Sequence, residues 1–95
     1  MQLEILTPEF KLFKGEVQHI EMPGTNGSFG VLNNHAPMIS SLGNGQLRFQ
    51  PNSKNAELVG QEKLFQQEGD DLILQIKGGF AEVLNNKVSV LIESL

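Results

Sequence analysis

The chain contains no cysteine, no tryptophan and no tyrosine. Without cysteine, neither a disulfide nor a thiolate zinc site can support a small core, which fits a reducing compartment. Without Trp or Tyr it lacks the aromatic platforms on which ligand-binding sandwiches, such as those for carbohydrate, usually rely. Basic residues are scarce: seven Lys and Arg stand against eleven Asp and Glu, for a net charge of −4. They are also scattered, so there is no clustered positive face for a phosphate backbone, and nucleic acid is not an expected partner. Long apolar runs are missing as well. "VSVLI" falls far short of the roughly 18–20 residues that span a bilayer. "QLEIL" after Met1 has neither the basic and apolar regions of a signal peptide nor an Arg/Ser-rich transit pattern. The chain reads as made in the cytoplasm, with no direct membrane insertion, as a single domain over 1–95.

What is present is a series of short apolar stretches separated by Gly, Pro and Asn. Leu3 and Ile5 alternate with Glu4 and Leu6; Leu47 and Phe49 alternate with Gln46, Arg48 and Gln50. Leu72, Leu74 and Ile76 repeat the pattern, and Val88, Val90 and Ile92 oppose Lys87, Ser89, Leu91 and Glu93. Alternation with period two is the mark of half-buried strands. Val17 and Ile20 stand three apart, which predicts a bulge or face switch near Gln18–His19. Asn85–Asn86 between two such runs predicts a two-residue hairpin turn. Gly78–Gly79 predicts positive φ, either at a bend or where another backbone comes close. Leu91 sits among polar neighbours, as at a half-covered edge or a subunit contact. Helical periodicity is nearly absent, so the fold class is all-β, with about eight to ten short strands in a sandwich or partly closed barrel.

Chemistry was sought first in Pro23–Pro37, "PGTNGSFGVLNNHAP". Its glycines do not form a dinucleotide fingerprint, and no lysine occurs between Lys14 and Lys54 to serve a phosphate loop. His35 has no nucleophile elbow around Ser28, Ser40 or Ser41, and only His19 could join it in a metal site. Glu68, Asp70 and Asp71 do not match a calcium loop and read as a solvated turn. No catalytic, cofactor or metal residue is assigned. The stretch reads as a long loop with an apolar tip, Phe29–Leu32, of the kind that contacts proteins. His35 is either hydrogen-bonded within the turn or part of that contact. From the residues alone, the chain is a small binding sandwich; a free-standing ligand- or protein-binding module is the alternative to an assembly subunit.

"LEILTPEFKLFKGEV", "MPGTNGSFGVLNNHAPMISSL" and "IKGGFAEVLNNKVSVLIES" occur in the order and spacing of the epsilon subunit of bacterial-type rotary ATP synthase, whose mitochondrial counterpart is called delta. The resemblance covers residues 2–94. It implies a ten-stranded β-sandwich of two packed sheets. It also implies a non-catalytic place in the central stalk, peripheral to the cytoplasmic face of the bacterial plasma membrane. There the subunit would bind gamma and the c-subunit ring, couple proton-driven rotation to ATP synthesis and reach the alpha/beta head indirectly. Ring-facing positions fall on Asn26, Gly27, Ser28 and Phe29, and gamma-facing positions on Thr7, His35 and Ser40. Ser28 stands where many members carry an acid, and Asn33–Asn34 replaces Pro-Gly. The sequence stops at Leu95, where most members continue into a C-terminal helical hairpin, so this polypeptide is expected to lack the hairpin's brake and nucleotide site.

Overall fold

The period-two alternation is realised as strands. The computed structural model describes residues 1–52, 57–58 and 64–95. They form β1 (Gln2–Leu6), β2 (Lys11–Gly24), β3 (Gly27–Leu32), β4 (Met38–Pro51), β5 (Glu57–Leu58), β6 (Phe65–Glu68), β7 (Asp71–Leu84) and β8 (Lys87–Ile92), with no α-helix among the described residues. The order is β1-β8-β7-β4-β2-β3, and β1 also pairs with β2, so the sheet closes on itself. All pairings are antiparallel except β1 with β8. β5 adds to β2 and β6 to β7.

The described residues give eight strands in one closed sheet, against the expected ten in two. The reason lies in β2, β4 and β7, each 14 residues long. Fully extended, such a strand would reach about 46 Å, yet the longest dimension of the molecule is 28 Å. Such strands must bend and change partners: β2 pairs with β1 and β5 through its first half and with β3 and β4 through its second. β2 carries the anticipated bulge: Val17 pairs with Pro51 and Ile20 with Phe49, three residues against two. In β7, Gly78 and Gly79 have φ of 93° and 149°.

Inside the closed sheet lie Leu3, Ile5, Leu12, Phe13, Ile20, Val31, Leu47, Phe49, Val88, Val90 and Ile92, all fully buried. Phe13 and Phe49 tilt against each other at 4.7 Å, and Phe65 meets Phe49 edge-on at 6.1 Å. Each such side chain contributes roughly 1.5–3 kcal/mol through burial. No polar or charged residue is buried among those described. The Asn85–Asn86 turn has φ of 52° and 58°, the mirror-image geometry anticipated for a tight hairpin.

Candidate partner-binding surface

The alternation that buries Ala81 and Val83 on β7, and Val90 and Ile92 on β8, forces their neighbours outward. On an ordinary half-solvated sheet those neighbours are polar. Here, beside Glu82 and Ser89, they include Phe80, Leu84 and Leu91, exposed by 58%, 47% and 47%. Register joins them into a surface. Ser41, Phe80, Leu91 and Leu6 form one row across β4, β7, β8 and β1. Ile39, Glu82, Ser89 and Glu4 form the next, and Ile39 is 76% exposed. A shallow cleft of about 300 Å³ lies among Leu6, Ile39, Phe80 and Leu91. A second, of about 350 Å³, continues past Pro37, Ile39 and Leu84. Leu6, Ile39, Phe80, Leu84 and Leu91 thus form a largely apolar patch across four strands, rimmed by Glu4, Glu82 and Ser89, of the kind that marks protein contacts. The lone Leu91 among polar residues was the only sign of it in the sequence.

Of the gamma-side candidates, Thr7 follows Leu6 in the chain, whereas Ser40, opposite the buried Ala81, turns to the inner side of β4, away from Ile39. His35 lies two residues before Pro37, which lines the second cleft. Thr7 organises its own turn. Its Oγ1 accepts from the Phe10 N–H at 2.9 Å and the Glu9 N–H at 3.3 Å, while its N–H donates to the Phe10 carbonyl at 2.7 Å. Thr7→Val is expected to cost about 1 kcal/mol of stability, as loss of a side-chain cap does. Thr7→Ser should restore most of it, read by urea denaturation. The His35 N–H donates to the Leu32 carbonyl at 3.1 Å, and Nδ1 lies 2.7 Å from the Ala36 carbonyl. A carbonyl only accepts, so Nδ1 carries a hydrogen in this contact. Asn34 takes φ of 63°, and its N–H donates to Asn86 Oδ1 at 2.7 Å; Asn86 Nδ2 donates to Asn33 Oδ1 at 2.9 Å. The Asn33–Asn34 turn is thereby tied to the β7–β8 hairpin. Ser40 Oγ donates to the Ser41 carbonyl at 3.3 Å.

The ring-side candidates sit at the end of the β2–β3 hairpin, which meets the Ser41 end of the first row. The expected long loop is instead a hairpin: β2 and β3 pair from His19–Leu32 to Gly24–Gly27 around a turn at Thr25–Asn26. Asn26, Gly27 and Ser28 are exposed at its end. Phe29 is half-buried and packs on the core, while Val31 is fully buried, so the anticipated apolar tip is mostly turned inward; Leu32 remains 67% exposed. Gly24 makes room for Phe29, since a Cβ there would come within 2.9 Å of its ring. Thr25 ties this hairpin to β4, its N–H donating to the Ser41 carbonyl at 3.2 Å and its hydroxyl lying 3.1 Å from the Ser41 hydroxyl.

The acidic group anticipated as a solvated turn is partly engaged. Arg48 Nε donates to Asp71 Oδ2 at 2.7 Å and its terminal nitrogen to Glu68 Oε1 at 3.3 Å. The Asp71 hydrogen bond, then that of Glu68, raises the Arg48 pKa above its ordinary value.

A family model described as "ATP synthase, Delta/Epsilon chain, beta-sandwich domain" matches residues 1–95. The ATP synthase epsilon chain of Pelotomaculum thermopropionicum is 42% identical over 90 residues, covering 95% of this chain and 55% of that one. The epsilon chain of Maridesulfovibrio salexigens is 37% identical over 91 residues, covering 96% and 53%. The chain thus spans about half the length of these relatives. Among solved structures, a chain of the Euglena gracilis mitochondrial ATP synthase (OSCP/F1/c-ring) superposes with a TM-score of 0.73 at 23% identity, over 95% of this chain and 48% of that one. A chain from the Tetrahymena thermophila mitochondrial ATP synthase central stalk and c-ring gives 0.64 at 17% identity, over 99% and 63%. At those identities the structural likeness concerns the fold alone.

Proposed function

This chain belongs to the ATP synthase delta/epsilon β-sandwich family, and on that premise we propose that it is a non-catalytic adaptor of the rotary central stalk. It binds gamma through the apolar face of β1, β8, β7 and β4, with Thr7 and His35 at the margin and Ser40 on the inner side of β4. It meets the c-subunit ring through the hairpin end at Asn26, Gly27 and Ser28, with Phe29 as the anchor beneath. Rotation of the ring, driven by protons, is passed through the closed sheet to gamma and so to the alpha/beta head. The protein sits at the cytoplasmic face of the membrane without entering it. A sheet closed on itself suits this work, because shear between its two ends strains every ladder at once.

The observation that carries the reading is the four-strand apolar face. A stable complex of ordinary size takes about 800 Å² from each partner, roughly one seventh of this chain's 5637 Å². Gel filtration of the 95-residue chain mixed with the gamma subunit of the same ATP synthase should give one co-eluting complex at micromolar concentrations. Separate elution would refute the assignment.

A further inference from the structure

β3 is the longest open edge of the sheet among the described residues, the two-residue β5 and four-residue β6 also having one partner each. β1, β8, β7, β4 and β2 are each paired on both sides, whereas β3 pairs with β2 alone. The hairpin register identifies what that edge presents. Gly24 and Gly27 flank a two-residue turn and form the hydrogen-bonded pair, and Met22–Phe29 and Ile20–Val31 follow at alternate positions. Ser28, Gly30 and Leu32 therefore turn their backbone N–H and C=O groups outward. The bond from the His35 N–H to the Leu32 carbonyl agrees with that phase. Proteins ordinarily blunt such an edge with lysine, proline or a bulge. "GSFGVL" has no charge and no proline, and its register with β2 is unbroken.

A second feature points to an occupant. Glu21 is exposed and lies directly across from Gly30 on β2. Its neighbour on the other side is Arg48 of β4, whose guanidinium is engaged by Asp71 and Glu68. Glu21 has no ion pair among the described residues. Because Gly30 has no side chain, a cleft of about 330 Å³ opens over it, lined by Glu21, Ser28, Phe29 and Gly30.

We propose that the outer edge of β3 accepts an extended peptide segment of a partner as an added strand, with a lysine or arginine of that segment crossing Gly30 to the Glu21 carboxylate. Main-chain hydrogen bonds from Ser28 and Gly30, and from the Leu32 N–H, hold the segment, the Leu32 carbonyl being taken by the His35 N–H, as in other strand additions. The added strand lies about 9.6 Å from β2, two strand spacings away. Only a long side chain spans that gap, and only over a residue without a Cβ. The inference goes beyond the coupling role and does not depend on it.

The test uses the 95-residue chain, capped pentapeptides TVKVT and TVEVT, and amide NMR with hydrogen exchange. TVKVT should shift the amides of Ser28, Gly30 and Leu32 and slow their exchange, and TVEVT should bind roughly ten-fold more weakly. Glu21→Gln should weaken TVKVT about three-fold, as expected for an exposed ion pair, and narrow the difference between the peptides. Gly30→Lys should keep the fold, since a Cβ there meets only the Ile20 carbonyl oxygen, at 3.9 Å. It should abolish binding by placing the protein's own ammonium in the cleft. Equal binding of the two peptides, shifts centred on Phe80 and Leu91, or no saturable shift would each overturn the proposal. So would peptide-free broadening of the β3 amides with protein concentration, which would give the edge to a second copy.

Discussion

The double substitution Phe80→Thr, Leu91→Thr is expected to abolish co-elution with gamma while leaving the melting temperature within about 5 °C of the parent. The two side chains are direct cross-strand neighbours, and both lie outside the core. Each is large and apolar, and losing its burial in the interface should cost about 1.5–3 kcal/mol. Together they should weaken binding at least about 100-fold. Threonine keeps the β-branched preference of a strand, so the fold loses little. Leu32→Thr is the control, since Leu32 is 67% exposed on β3, which pairs with none of the four strands of this face; its gamma binding should be unchanged. If the double variant still co-elutes, gamma docks elsewhere. If Leu32→Thr is the damaging change, the β2–β3 hairpin is the gamma site and the two assignments must be exchanged.

Gly79→Ala should be the most damaging single change to stability. Gly79 has φ of 149°, and β8 runs directly over it: an added Cβ would overlap the Leu91 carbonyl oxygen and come within 3.1 Å of Ile92 Cα. Neither atom belongs to a flexible side chain, so the ladder itself must part. Gly79 pairs with Ile92, whose side chain is fully buried, and any shift there disturbs the core. A loss of more than about 4 kcal/mol is expected, against a total of roughly 5–15 kcal/mol for a domain. Gly78→Ala offers an internal comparison. Gly78 has φ of 93°, but its added Cβ would meet the end of a mobile side chain, Glu93 Oε2, at 3.2 Å. Backbone strain of about 1–3 kcal/mol is then the main cost. Circular dichroism melts of the two variants should differ clearly, with Gly79→Ala melting well below Gly78→Ala. Equal melts would mean that β8 yields more easily than its pairing implies.

The close approach at Gly79 also marks how far local pattern reaches. Gly78–Gly79 signalled either a bend or a nearby backbone, and both hold; the backbone that comes close is the chain's own β8. The β2 bulge was visible because Val17 and Ile20 break alternation, and the Asn85–Asn86 hairpin because few residues tolerate its positive φ. Pro23–Pro37 misled for the opposite reason. Its glycines and asparagines carry weak strand preference, so local propensity reads loop. β2 nevertheless supplies an unbroken partner edge, and pairing makes Gly27–Leu32 a strand. That pairing turns Phe29 and Val31 toward the core, which no local rule anticipates.

Taken alone, the sequence determined the all-β class, the faces of the regular strands and two of the special backbone positions, because these follow from period-two burial and from the steric limits on φ. Its ordered motifs also determined the family. The closed sheet, the change of partners along β2 and the engagement of Arg48 by two acids were decided by tertiary structure. So was the apolar face, whose members Leu6, Ile39, Phe80 and Leu91 lie far apart along the chain. Such features depend on which strands become neighbours and in what register, and register is set by the joint burial of the whole core rather than by any one segment.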